Sequence, residues 1–349
     1  MNYSRAILRD VEGYVPGEQP ADPAVIKLNT NENPYPPSPK VVEALRGVDV
    51  AALRKYPDPV SLGLRTVCAE RYGYASPDWV IAGNGMDELL AMALRTFTDP
   101  GDTILTPYPT YSLYETLAKL HGAHCKTIDL SPDFQLTSEF FTTPARLCFL
   151  PRPNAPSGVA APLAEMERLC TNFDGIVVID EAYVDFADDS CLEFPKRFDN
   201  VIVMRTFSKS FSLAGQRLGV AVARPELIAE FMKTKDSYNL NAISQAVGIA
   251  AMQDYAYMES NVRKIRATRQ RLADALKKLG FTVSPSQANF VLAQRDGTPS
   301  SAEIFHALRE QNILVRYFDT PGLQNALRVS VGTDAEIDTL LERLREILA

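Results

Sequence analysis

Residues 201–222 read VIVMRTFSKSFSLAGQRLGVAV: two apolar runs, 201–204 and 218–222, joined by a turn rich in Ser, Ala and Gly that carries Lys209 and Arg217. Neither run alternates apolar with polar residues, so each predicts a strand covered on both faces, as in a parallel sheet layered with helices. The same signature recurs upstream at 103–105, 147–150 and 176–179, with helical periodicity at 62–71, 87–96 and 111–120. Alternation of this kind predicts a doubly wound α/β domain with helices on both faces of a mostly parallel sheet, and ligands gather at the carboxyl ends of such strands.

The flanking regions differ in character. The first 50 or so residues are dense in Pro, Asn, Asp and Gly, a composition that predicts neither a regular helix nor a central strand but an arm lying against the rest. Beyond about residue 260 come a charged helix (262–279), strands at 281–283, 289–293, 313–316 and 327–331, and helices at 302–311 and 334–348. This is a smaller α+β unit. The expected division is an arm over 1–28, a large domain over 29–250 and a small domain over 251–349, consistent with a 349-residue chain exceeding one ordinary core. A net charge of −7 argues against a nucleic-acid partner. Five scattered cysteines without a C-x-x-C pair read as reduced thiols, and neither a signal peptide nor a bilayer-spanning run is visible, so a cytoplasmic protein without membrane attachment is expected. His121 and His124 lack a third partner and read as a helix end and a loop, and no metal is expected.

Several polar residues fall where the predicted strands end. Asp180 closes the 176–179 run and reads either as a charge partner for a cationic ring nitrogen or as a helix cap. Tyr183 either donates a hydrogen bond or packs, and Asn154, in the turn RPNAPSG (152–158), either donates its amide or belongs to an ordinary turn. Gly83-Asn84-Gly85-Met86 opens a helix and exposes N–H groups suited to phosphate. Tyr111 either stacks on a flat ligand or fills core. A lysine, a preceding hydroxyl (Ser208) and an arginine (Arg217) complete what pyridoxal phosphate requires: an amine for its aldehyde and partners for its phosphate. Burial and the nearby Arg217 would both push Lys209 below the usual lysine range.

Together these motifs resemble the fold-type-I pyridoxal-phosphate aminotransferases, and within them the histidinol-phosphate aminotransferase group, from LNTNENP (28–34) to LRVSVGT (327–333). The resemblance implies a large, mostly parallel sheet of the seven-stranded type, and a Schiff base between Lys209 and the cofactor. It implies Asp180 on the ring nitrogen, Tyr183 and Asn154 on the ring oxygen, and Tyr111 stacked on the ring. Gly85, Met86, Ser208 and Arg217 would hold the phosphate, with Tyr56 reaching the neighbouring subunit's phosphate in an obligate homodimer. Arg328 would grip the substrate carboxylate, Arg316 a substrate phosphate, and Asn154 and Tyr14 also stand on the substrate side. The implied reaction is ping-pong amino transfer between a small amino donor, histidinol phosphate, and the 2-oxo acid 2-oxoglutarate. An aromatic amino-acid aminotransferase, a phosphothreonine decarboxylase on the same scaffold and a cofactor-binding regulator are the alternatives. The last lacks a basic DNA-binding module here. Two departures from the family pattern stand out: Arg152 before Pro-Asn, expected to alter what is bound, and Ser210 and Ser212 in place of Ala, expected to be neutral.

Overall fold

A strand buried on both faces needs a helical layer on each side, and the computed structural model, which describes residues 3–11, 13 and 17–349, builds both. Its strands are β1 (Ile26–Lys27), β2 (Val80–Gly83), β3 (Thr103–Tyr108), β4 (His124–Asp129), β5 (Leu147–Pro151), β6 (Ile176–Asp180), β7 (Val201–Thr206) and β8 (Gly219–Val222). There follow β9 (Thr282–Val283), β10 (Phe290–Gln294), β11 (Ile313–Leu314), β12 (Arg316–Tyr317) and β13 (Ala326–Ser330). Seven of them form one sheet in the order β2-β8-β7-β6-β5-β3-β4, parallel except that β8 runs against both neighbours. Side chains alternate along β5: Leu147 and Phe149 meet Tyr114 and Phe231 on one face, while Cys148 and Leu150 meet Met166 and Leu169 on the other. A large, mostly parallel sheet of seven strands is what the resemblance implies, and its order places β5, β6 and β7 side by side at the centre.

A second, antiparallel sheet has the order β12-β13-β10-β9 and packs under the helices Tyr255–Lys278, Ser301–Glu310 and Asp334–Leu348. The last two helices each start with a capping box, at Ser300 and Thr333. The 24-residue helix Tyr255–Lys278 joins the two cores: Met258, Val262 and Ile265 pack with the large sheet, Leu272 and Leu276 with the small one.

Three expectations need correction. The proline-rich arm does contain a helix, Pro39–Arg46, because Ser38 caps it through Lys40 N and proline is favoured in a first turn. His124 opens the edge strand β4 rather than a loop; its polar residues give little apolar signal because most of that strand is exposed or half-exposed. The single strand expected over 313–316 is two: β11 pairs in parallel with β1 of the arm, whereas β12 pairs with β13. No helix among the described residues is long and apolar enough to cross a membrane.

Candidate active site

Parallel neighbours β5, β6 and β7 deliver Pro151, Asp180 and Thr206 to one edge of the large sheet, and the small sheet closes over that edge with β12 and β13. Between them lies a cleft of about 290 Å³ whose wall includes Asp180, Tyr183, Lys209, Arg217, Arg316 and Arg328.

Asp180 is 4% exposed. Tyr114 donates to it at 2.5 Å and the Ala182 N–H at 2.9 Å, yet no cation within ion-pair distance faces it among the described residues. Burial raises its carboxyl to about 6, and the two hydrogen bonds pull the other way. Lys209 Nζ donates to the carbonyl of Thr30 at 3.2 Å. Its ammonium is pushed down to about 8, first by burial and then by Arg328; Glu32 and Asp87 oppose this, and Arg217 contributes least. The sequence reading named burial and Arg217; Arg328 outweighs the latter.

Ser208 is buried and also lines the cleft. Gly85 has φ +84°, and a Cβ there would come within 2.7 Å of the Arg217 guanidinium, so only glycine leaves that cradle open. Met86 begins the helix Met86–Phe97, whose first turn presents N–H groups. Arg217, itself left-handed at φ 49°, pairs with Asp87 at 3.0 Å. Tyr111 sets its ring edge-on to Tyr114, with centroids 5.6 Å apart, and lines the cleft. Tyr183 has its ring edge against Phe290 and its hydroxyl accepts from Asn31 Nδ2 at 3.0 Å. A buried carboxylate lacking a cation, an amine held near neutrality, and an arginine beside a glycine cradle fit pyridoxal phosphate, which offers a cationic ring nitrogen, an aldehyde and a phosphate.

On the opposite wall Arg316 and Arg328 are cross-strand partners in the β12–β13 ladder. Arg328 donates to the Asn29 carbonyl at 2.9 Å and lies over the rings of Phe290 and Phe318, and Arg316 lies over Phe318 as well.

Other expected residues stand outside the cleft surface. Asn154 is buried behind it, donating to Pro109 O and Ser157 Oγ and accepting from Thr110 Oγ1. Tyr56 is 78% exposed and stacks on Tyr238 with centroids 4.3 Å apart. Arg152 does not face the cleft; it is 1% exposed and its guanidinium is spent on Ala161 O and Asp189. Ser210 hydrogen-bonds the Asp185 carboxylate, so its hydroxyl has a definite partner where a neutral replacement was expected. Tyr14 lies outside the described residues. The sequence reading missed Thr30, Asn31 and Glu32, Tyr114, and Phe318. Thr30, Asn31 and Glu32 all fall in the polar run NTNEN (29–33), which marks an irregular arm and opens the family resemblance but assigns no role to any one of its side chains.

The family model for aminotransferase class I and II matches residues 23–344. The histidinol-phosphate aminotransferase of Geotalea daltonii is 47% identical over 98% of this chain and 99% of its own, and that of Microcystis aeruginosa is 46% identical over 99% and 98%. Among solved structures, histidinol-phosphate aminotransferase from Sinorhizobium meliloti in complex with pyridoxal-5'-phosphate superposes with a TM-score of 0.89 at 25% identity, covering 100% of this chain and 98% of that one. The chain therefore belongs to the class I and II aminotransferases, in the histidinol-phosphate aminotransferase group.

Proposed function

We propose that this enzyme transfers an amino group between L-histidinol phosphate and 2-oxoglutarate, with imidazole-acetol phosphate and glutamate on the other side, as a step of histidine biosynthesis. The observation that carries the reading is the pair Arg316 and Arg328, register partners that face the same cleft as Lys209. Two guanidiniums suit substrates that bring an anion to each half-reaction, a phosphate in one and carboxylates in the other.

Pyridoxal phosphate, when bound, supplies an aldehyde that captures amines and a ring that accepts electrons from the substrate Cα–H bond. Lys209 is the base: with its amine lowered to about 8, a useful fraction is neutral near pH 7 and Nζ can take and return the Cα proton. Asp180 holds the ring N–H, gaining in that ion the charge partner its buried site otherwise lacks. Tyr183 and Asn154 are assigned to the ring oxygen, Tyr111 to the ring face, and Gly85, Met86, Ser208 and Arg217 to the phosphate. Arg328 grips the carboxylate and Arg316 the substrate phosphate. Tyr14 is assigned to closure over the substrate.

A cytoplasmic homodimer with shared sites belongs to the same reading. Its support is an exposed apolar set close in sequence, Val50, Leu53, Tyr56 and Leu62, together with five free cysteines. In that dimer Tyr56 serves the partner's phosphate site.

Mixing the holoenzyme with a panel of amino donors and following loss of the cofactor's visible absorbance tests the substrate. Histidinol phosphate should react fast and phenylalanine slowly; the reverse order overturns the proposal. Arg316→Ala should raise KM for histidinol phosphate about 10–100-fold, the worth of a charged hydrogen bond, and affect glutamate less. Equal loss for both donors makes Arg316 structural.

A further inference from the structure

Asn31 is 2% exposed, left-handed at φ 55°, and enclosed by hydrogen bonds to Ser330 of β13, to Asn289 just before β10 and to Tyr183 beyond the end of β6. Its main-chain N–H donates to Ser330 Oγ at 2.8 Å, and its carbonyl accepts from Asn289 Nδ2 at 2.9 Å. Because Ser330 Oγ accepts that N–H, its own hydrogen is free to donate to Asn31 Oδ1, at 3.1 Å. The amide is thereby oriented, and its other end, Nδ2, donates to Tyr183 Oη at 3.0 Å. A phenol has one hydrogen. With Nδ2 on one lone pair, that hydrogen is turned away from Asn31.

We propose that Asn31 is a positioning residue that fixes the direction of the Tyr183 phenol, committing its single hydrogen to the cleft. Lys209 Nζ lies 5.7 Å from the Tyr183 ring centroid and both residues line the cleft, so the phenol borders the space where the amine works. Phe290, edge-on against the ring, keeps the phenol from swinging aside. The relay Ser330–Asn31–Tyr183 starts on β13, the strand that carries Arg328, so the polarity of the donor is set from the small sheet. The inference rests on the assignment of Tyr183 to the cofactor's ring oxygen, since a donor is what that oxygen would require.

The test titrates the visible absorbance of the holoenzyme with pH. A donor to the ring oxygen stabilises its anionic form, so losing the donor raises the midpoint. Asn31→Asp keeps the shape and tolerates the left-handed backbone, but a carboxylate only accepts, and the phenol should turn round to it. The midpoint should rise by about one unit. Asn31→Gly, also compatible with φ 55°, removes the side chain without adding an acceptor and should shift the midpoint by less than half as much. Arg328, Arg217, Asp87, Asp180 and Glu32 face the same space and are unchanged throughout. The charge of the new carboxylate acts whether or not a phenol is present, so the Asn31→Asp shift is measured again in a Tyr183→Phe background, where only that electrostatic remainder should survive. Equal Asn31→Asp shifts in the two backgrounds, or a glycine variant at least as shifted as the aspartate, overturn the inference and leave Asn31 a packing residue. If Tyr183→Phe alone leaves the midpoint unmoved, the assignment of Tyr183 itself falls and the inference with it.

Discussion

Asp180 and Glu181 are adjacent in the chain and both nearly removed from water, yet they meet opposite fates at the end of β6. Asp180 faces the cleft with a phenol and one N–H for company. Glu181 faces the back, where Arg205 holds it through Nε at 3.1 Å and Nη2 at 2.9 Å, and the Ser190 hydroxyl and Cys191 N–H complete its shell. Arg205 also reaches Asp185 at 3.5 Å, and burial, which works against its charge, is more than offset by these carboxylates. Asp185 in turn is tied to Ser210, the residue after Lys209. The back of the site is a saturated ionic network that anchors the residues following Asp180 and Lys209; the front is left short of partners. On the proposed reading Asp180 stands without a counter-ion because the cofactor would supply one, whereas Glu181 is paired where it stands, as a buried charge needs to be.

Three substitutions separate these roles. Asp180→Asn should lower transamination about 10²–10³-fold, the scale of losing one preorganised electrostatic partner. Its effect on the cofactor-free protein should have the opposite sign. The native carboxyl, raised from 3.8 to about 6, is fully stabilising only while protonated, and that advantage is lost as pH rises from about 4 through about 6. The ionised form then costs about 3 kcal/mol, which asparagine avoids. Above pH 6 the variant should therefore melt higher than the parent, and a variant that melts lower at every pH would erase the distinction between front and back. Glu181→Gln leaves Arg205 buried with Asp185 as its remaining carboxylate and should cost about 3 kcal/mol in urea denaturation, with activity per folded molecule nearly unchanged. Ser210→Ala is the smallest step: about 1.5–3 kcal/mol at most for a hydrogen bond to a charged group, toward the lower end because Asp185 keeps Arg205 as a partner. A loss of activity in Ser210→Ala larger than its loss of stability would mean that the network tunes Lys209 rather than merely holding its loop.

The large sheet was legible because its strands are apolar on both faces: the expected runs at 147–150, 176–179 and 201–204 all lie within β5, β6 and β7. The edge strand β4 was not, since an edge need bury little and Ile128 is the one buried residue in it. Lys209 and Asp180 stood out because strand ends are few and polar residues there are conspicuous. Nothing local, however, distinguishes Asp180 from Glu181, or Arg152 from Arg316; the members of each pair are parted by partners 9 to 66 residues away or, for Arg316, by its place on the small sheet. The arm is the extreme case. Its Asn31 carries contacts to residues 152 and 299 positions distant, which no short-range pattern encodes.

Since Arg316 and Arg328 stand opposite each other on β12 and β13, their Cα atoms are set about 5 Å apart by the ladder itself. On the proposed assignment the two positive tips ride on one stiff ribbon and would act as a ruler for the anions that enter. A slip of β12 by one residue would turn Arg316 to the far side and bring an apolar or aromatic neighbour, Val315 or Tyr317, in its stead. On that assignment discrimination among amino donors would be inherited from backbone pairing, and would drift with the register of a ribbon rather than with the chemistry at its base.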